Sequence, residues 1–459
     1  MEQKNSLGEL PVPHLLKEYA LPSIFAMLVS ALYNIVDQFF IGRSVGELGN
    51  AATNVAFPLS TSCIALALLF GIGGAAAFNL SMGKGEKEKA LYYIGNAAMM
   101  LFFSGLVLAV ITEVFLEPLL IVFGSPQKVL PFAKTYTGIT AIGFPFLILS
   151  AGGGHLIRAD GSPNMAMISN LTGAVINTLL DALFVFGFHM GMQGAALATV
   201  IGQFVAAAII VWYLCHLKTA PLSGMHIRPQ LPVIGYVAKL GTANFFNQIA
   251  MMIVQIVMNK SLAYYGARSD YGESIPLACA GIVTKVGMVF FSICIGLSQG
   301  MQPIVSYNYG AGNYKKVKQA YKLATGIGTV ISTIAFLAFQ IFPRQLISIF
   351  GSSQNESYYT FAVRYFRIYM FFTFLNAIQP ISSNFFTAIG KPGKGIFLSL
   401  TRQIIFLLPL IVIFPLFLGV DGIMYAGPIA DFIAAMVSMI LIYKEFGKIN
   451  KLEEATCES

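Results

Sequence analysis

The chain has 459 residues, 56% of them hydrophobic and 10% charged. Soluble domains carry roughly 25% charged residues, so a soluble fold with this much apolar surface is excluded. The net charge of +8 does not indicate a nucleic-acid partner, because the positions of the basic residues have a simpler explanation in a membrane.

The apolar residues form twelve blocks of about 20 or more, the length a helix needs to cross ~30 Å of hydrocarbon. With a cytoplasmic N-terminus, the inner connectors hold Lys84, Lys87, Lys89, Arg158, Lys218, Arg228, Lys315, Lys316, Lys318, Lys322, Lys391 and Lys394, and the tail holds Lys444, Lys448 and Lys451. The outer connectors hold only Arg43, Lys128, Lys134, Arg268, Arg344 and Arg364. This asymmetry predicts an even number of spans, both termini in the cytoplasm, and a multi-pass protein of the inner (plasma) membrane with the lipid bilayer as its partner. The expected fold is an all-α integral membrane protein of twelve transmembrane helices.

The first block follows a polar segment with Glu2, Lys4, Glu9, Lys17 and Glu18 and continues to about Gly42. That is too long for a signal-peptide core, so it reads as a retained span. It contains Asp37, with Asn34 one helical turn earlier. A charge at the bilayer centre costs roughly 2.5 to 3.5 kcal/mol, so each one needs a reason to be there. The fourth span adds Tyr136 and Thr140, and the fifth adds Asn170, Asn177 and Asp181, whose spacings of seven and four form one stripe. Thr199 and Gln203 follow in the sixth. Together these residues predict an oxygen-rich pocket in the first half. Two carboxylates brought close in low dielectric cannot both stay ionised without a cation, so the pocket is expected to take up a proton or a hard cation such as sodium.

A basic stretch from about Leu217 to Pro232 separates the halves, giving an N-lobe of residues 1–217, a cytoplasmic linker of 218–232, a C-lobe of 233–446 and a cytoplasmic tail of 447–459. The chain resembles itself across that boundary. Gly83-Lys84-Gly85 corresponds to Gly310-Ala311-Gly312, Gly124-Ser125 to Gly351-Ser352, Gly161-Ser162-Pro163 to Gly390-Lys391-Pro392, and Gly191-Met192-Gln193-Gly194 to Gly419-Val420-Asp421-Gly422. Six spans per half make the repeat parallel, a geometry that suits two bundles rocking about a central site.

The second half does not repeat the pocket chemistry, since Asn177 and Asp181 align with Ile405 and Pro409. It carries Gln248, Gln255, Lys285, Gln302, Asn376, Gln379, Arg402 and Asp431 instead. Lys285, Arg402 and Asp431 are expected to pair with one another and hold the bundle together, with the glutamines as candidates to face substrate. Among 38 Phe and 19 Met, Phe57, Phe144, Phe146, Phe245, Phe246, Met251 and Met288 are candidates to line a cavity for flat, apolar, cationic molecules. Pro22, Pro58, Pro145, Pro303, Pro380 and Pro409 mark points where spans bend. The five cysteines show no CxxC pair and the five histidines no ligand spacing, so neither a disulfide nor a metal cofactor is expected.

Four segments resemble the multidrug and toxic compound extrusion (MATE) family in order and spacing. They are Asp37-Gln38-Phe39-Phe40-Ile41-Gly42-Arg43, Arg158-Ala159-Asp160-Gly161-Ser162-Pro163, Asn177 with Asp181, and Gly191-Met192-Gln193-Gly194-Ala195-Ala196. The resemblance covers essentially the whole chain. It implies a V-shaped pair of six-helix lobes, export of cationic or amphiphilic compounds in exchange for sodium or protons, and no enzymatic activity. By the same resemblance Asp37, Asn177, Asp181 and Thr199 are cation ligands or proton carriers with Tyr136 nearby, in the manner of the bacterial branch whose acidic site lies in the N-lobe. A monomer is expected.

The alternatives are a flippase or exporter of a lipid-linked or metabolite substrate on the same two-lobe fold, and a major facilitator transporter. The connector Ser81-Met82-Gly83-Lys84-Gly85-Glu86-Lys87 lacks the Gly-x-x-x-Asp-Arg/Lys-x-Gly-Arg pattern that marks the latter. No nucleotide-binding glycine loop or nucleophile motif supports ATP-driven transport or hydrolysis.

Overall fold

A computed structural model describes residues 6–272, 274–350 and 356–457. Among the described residues there is no β-strand, and the helices form twelve spans. The first lobe contains α1 (Val12–Ser44), α2 (Glu47–Gly83), α3 (Lys87–Val114), α4 (Leu130–Ile142 and Phe144–Ala159), α5 (Pro163–Asp181, continued by the π-helix Ala182–Gly187) and α6 (Gly191–Cys215). The second contains α7 (Leu231–Gly266), α8 (Ser274–Gly310), α9 (Tyr314–Ile341), α10 (Glu356–Tyr369 and Ile378–Ala388), α11 (Pro392–Leu400, the π-helix Thr401–Leu407 and Leu408–Leu418) and α12 (Val420–Cys457). Ten of these are long and apolar enough to cross a membrane as single helices, and the two parts of α4, bent by 56°, make an eleventh. The twelfth is α10, whose two parts are joined through a single turn at Thr373–Leu375.

The repeat read in the sequence is visible in the backbone. The connector glycines adopt matching positive φ in the two halves, 79° at Gly85 and 74° at Gly312, 84° at Gly161 and 75° at Gly390, 56° at Gly191 and 60° at Gly419. An L side chain is strained there, so each pair fixes the same turn. The Gly351-Ser352 counterpart of Gly124-Ser125 lies outside the described residues.

The lobes meet at the end that carries the basic connectors, through two equivalent helix crossings. A Cβ on Gly241 of α7 would lie 1.8 Å from the Leu69 carbonyl oxygen of α2, and one on Gly73 of α2 would lie 2.1 Å from that of Val237. Gly296 and Gly300 of α8 stand in the same relation to Ile24 and Ala20 of α1, at 2.6 and 2.5 Å from their Cα atoms. Backbones this close need glycine on one side, the small-residue packing that joins helices where lipid supplies no hydrophobic drive. Hydrogen bonds reinforce the closure: Arg158 donates to Gln299 Oε1 (3.2 Å), Gln302 to the Ile72 carbonyl (3.2 Å) and Asn308 to that of Leu7 (2.9 Å). Toward the other end the facing surfaces part, leaving Met288 and Ile295 of α8 exposed. The molecule is therefore a V that opens away from its basic end.

Core packing crosses the boundary drawn from the connectors. Leu15, Leu16 and Tyr19 of α1 belong to the apolar core of the second lobe, whereas Ile41 of the same helix packs in the first. Conversely, Val237 and Leu240 of α7 pack in the first lobe, while Val254, Met258 and Leu262 pack in the second. Each lobe thus holds the basic end of the other lobe's leading helix. Pro22 lies at the changeover in α1.

The linker is fastened to the first lobe. Its short helix Gly224–Ile227 docks on α3, with His226 Nε2 2.9 Å from Glu88 Oε1 and Asn96 Nδ2 donating to the His226 carbonyl at 3.0 Å. Asp160, in the connector after α4, accepts from the Tyr213 hydroxyl, the Lys218 amide and both the amide and hydroxyl of Thr219. Burial nonetheless raises its carboxyl above the ordinary range. On the second lobe Lys391 and Lys394 both pair with the fully buried Glu445, tying α12 to the start of α11 and the connector before it.

Candidate cation pocket and central cleft

The pocket is assembled from four helices of the first lobe. Glycines bring α5 and α6 together, since a Cβ on Gly202 would lie 2.7 Å from the Gly173 carbonyl oxygen and 2.9 Å from the Asn177 Cβ. This approach lets Asn177 Nδ2 donate to Thr199 Oγ1 at 3.3 Å. The Thr199 hydroxyl in turn donates to the Ala195 carbonyl at 2.9 Å, leaving its oxygen free to accept. Asp181, one turn beyond Asn177, is fully buried and Asp37 of α1 is 8% exposed. The two carboxyl groups are neighbours in the pocket.

Nothing else in the pocket supplies the missing donors. Oδ1 of Asp37, both carboxylate oxygens of Asp181 and Oδ1 of Asn177 are all buried without a hydrogen-bond donor. Buried polar groups are normally satisfied, and unpartnered acceptors gathered in one place are costly unless a cation or proton completes them. A hard monovalent cation held by carboxylate and amide oxygens, or a proton shared between the carboxylates, fits this donor set. Tyr33 and Tyr136 approach Thr199 and flank both carboxylates.

Asp37, Tyr136, Asn177, Asp181 and Thr199 thus come together, and Tyr33 joins them. Tyr33 is four residues before Asp37 and so on the same helix face, a signal the sequence carried. The remaining polar candidates lie apart. Asn34 is exposed and donates to the Ser30 carbonyl at 2.8 Å, and Asn170 is half-buried nearly two turns before Asn177. The Gln203 Oε1 sits where a Cβ on Gly143 would be 2.7 Å away, at the bend of α4.

The cleft candidates divide similarly. Gln248 and Gln255 follow Gly241 by seven and fourteen residues, so they continue the α7 face that touches α2, turned by no more than about 40°. Met288 continues the α8 face of Gln299 in the same way. Phe57 is 47% exposed but lies about 160° around α2 from Gly73, so it points away from the cleft. Phe144 is 3% exposed in the core of the first lobe, beside the close approach of Pro145 to Gly105 of α3, and does not line the cleft.

The expected three-way cluster in the second lobe is a pair. Arg402 Nε lies 2.5 Å from Asp431 Oδ1, with Asn376 adjacent, while Lys285 is exposed and stands apart.

Two six-span lobes, joined at one end by paired crossings and holding a buried polar pocket, define a two-lobe membrane transporter. A family model described as MatE matches residues 22–183 and 243–413, and the chain belongs to that family of membrane transporters. The chain is 26% identical over 426 residues to the multidrug export protein MepA of Staphylococcus saprophyticus, covering 93% of this chain and 92% of that protein. MepA of Staphylococcus aureus strain MW2 is 24% identical over 447 residues, covering 96% of each. Among solved structures, an outward-facing multidrug resistance MATE transporter of the MOP superfamily superposes with a TM-score of 0.89 at 21% identity, covering 98% of this chain and 99% of that one. A MOP superfamily transporter from Pyrococcus furiosus, described as having a binding pocket of reverse polarity, superposes with a TM-score of 0.90 at 21% identity, covering 97% and 98%.

Proposed function

We propose that this protein is a secondary active exporter of drug-like cationic or amphiphilic compounds, driven by sodium or protons that enter the pocket at Asp37 and Asp181, and that it acts as a monomer in the plasma membrane. The carrying observation is the set of buried, donorless oxygens on Asp37, Asp181 and Asn177 within one lobe of an open V. Similarity to multidrug export proteins supports the cargo class. If the basic end faces the cytoplasm, as the distribution of Lys and Arg favours, the V is the outward-open state.

Coupling runs along α1. Its outer part carries Asp37, its inner part is held in the second lobe by Leu15, Leu16 and Tyr19, and Pro22 removes one helical hydrogen bond between them. Proton or sodium uptake removes one negative charge from the carboxylate pair, changes how α1 packs on α5, and loosens the Ile24 to Gly296 crossing. The lobes then rock toward an inward-open state. Asp37, Asn177, Asp181 and Thr199 are the proposed ligands.

The test is uptake of a fluorescent organic cation into proteoliposomes with sodium and pH gradients imposed separately. Gradient-dependent movement under one of the two supports the reading and names the ion. Movement indifferent to both gradients, or an ohmic conductance, overturns it.

A further inference from the structure

Lys285 stands on the cleft wall of the second lobe, and the coupling pocket makes no use of it. Residues seven apart on a helix stack within about 20°, so Lys285, Ser292 and Gln299 share one face of α8. Gln299 touches the first lobe through Arg158 and Met27, which shows where that face points. The outer part of the same face, with Lys285 and Met288, is exposed because the lobes have parted there.

Its depth is also fixed. Lys285 lies eleven residues outward of Gly296, and Asp37 thirteen residues outward of Ile24, the residue Gly296 touches. At 1.5 Å per residue these are about 16 and 20 Å above the crossing, nearly one level on opposite walls. Asp37 is turned about 140° from Ile24, into its own lobe, and so does not answer the lysine. Arg402 and Asp431 answer each other. Among the described residues no carboxylate pairs with Lys285.

A lysine in a membrane helix is expensive unless it is hydrated or paired. In the open V water serves. When the lobes close around cargo that water is lost, and an ammonium without a counter-charge opposes closure. We propose that Lys285 is a specificity-determining residue that selects cargo carrying a carboxylate or phosphate on an apolar aromatic body, a zwitterionic or anionic amphiphile, over plain monocations. This rests on the exporter reading above and narrows its cargo class. The same wall suits such cargo, since Gln248, Gln255 and Asn259 of α7 offer amides on the Gly241 face and Met288 of α8 offers an adaptable apolar contact. A monocation meets repulsion at the same spot, which is discrimination by an unfavourable charge contact.

The experiment compares tetramethylrhodamine methyl ester, a monocation, with its parent free acid, the same ring system with an ionised carboxylate. Binding to the detergent-purified full chain is read by fluorescence polarisation and needs no gradient. The wild type is expected to bind the acid more tightly than the ester. Lys285→Gln should weaken acid binding about tenfold and leave the ester unchanged or tighter, and Lys285→Arg should retain the preference. Equal changes for both probes, an unchanged acid affinity in Lys285→Gln, or wild-type binding of neither probe would overturn the assignment. Transport of the two probes in proteoliposomes is measured alongside. Selective binding without gradient-driven transport sinks the exporter reading and leaves Lys285 standing.

Discussion

Asp181 is the residue with most at stake, because both of its carboxylate oxygens are buried without donors and the charged group beside it is another acid, Asp37. Replacing it with asparagine removes the charge that calls for a cation while keeping the shape. Asp181→Asn should therefore lower gradient-driven efflux by about a hundredfold or more with expression intact, and Asp37→Asn should do nearly as much. Normal export by the Asp181 variant would show that the coupling site lies elsewhere. The Arg402 to Asp431 pair predicts a different phenotype, since removing one partner of a buried ion pair leaves the other uncompensated. Asp431→Ala should cost about 3 to 5 kcal/mol of stability, read as earlier thermal unfolding in detergent, and Arg402→Met combined with Asp431→Leu should recover much of it. Spacing alone exposed Asn177 and Asp181 as one stripe, and the same rule applied to Tyr33 would have added it to the pocket. What spacing does not contain is which helices meet, so Lys285 looked like a partner for Arg402 when it stands on a different surface.

At the scale of helices, close glycine contacts set how far the lobes can close at the basic end. Adding one methyl group to Gly241 places it 1.8 Å from the Leu69 carbonyl oxygen, a backbone atom that cannot swing aside. Gly241→Ala is expected to hold α7 off α2 and shift the population away from the open V. Spin-label distances should lengthen across the basic end and shorten across the mouth, and transport should fall about tenfold or more. An unchanged distance distribution would mean the crossing does not set the state. Hydropathy found these helices because the bilayer imposes a single length on all of them. It is least sensitive to α10, whose first part carries Glu356, Arg364 and Arg367 and whose helix is interrupted before Ile378. Nor can it tell which apolar face meets lipid and which meets protein, since both environments favour the same residues. Phe144 in the core and Phe57 turned from the cleft are the two results of that ambiguity.

For the whole molecule, the open V implies that one end must come apart for the other to close, and the Met27 to Gln299 contact lies on that seam with 3.8 Å between sulfur and amide nitrogen. Lobes that rock as units have no alternative route, because α1 and α7 are each anchored in both cores. Cysteines placed there after replacement of the native ones, Met27→Cys with Gln299→Cys, lie about six residues out of level on the antiparallel helices, too far for a direct disulfide. A short bis-methanethiosulfonate crosslinker joining them should fix the open V. Cargo binding from the open side should keep its affinity, while gradient-driven transport falls about twentyfold or more and returns on reduction. Binding without transport is the signature that separates a locked cycle from a damaged site. If the crosslinked protein goes on exporting, cargo passes without separation of the lobes at their basic end, and alternating access by rocking is the wrong description of this molecule.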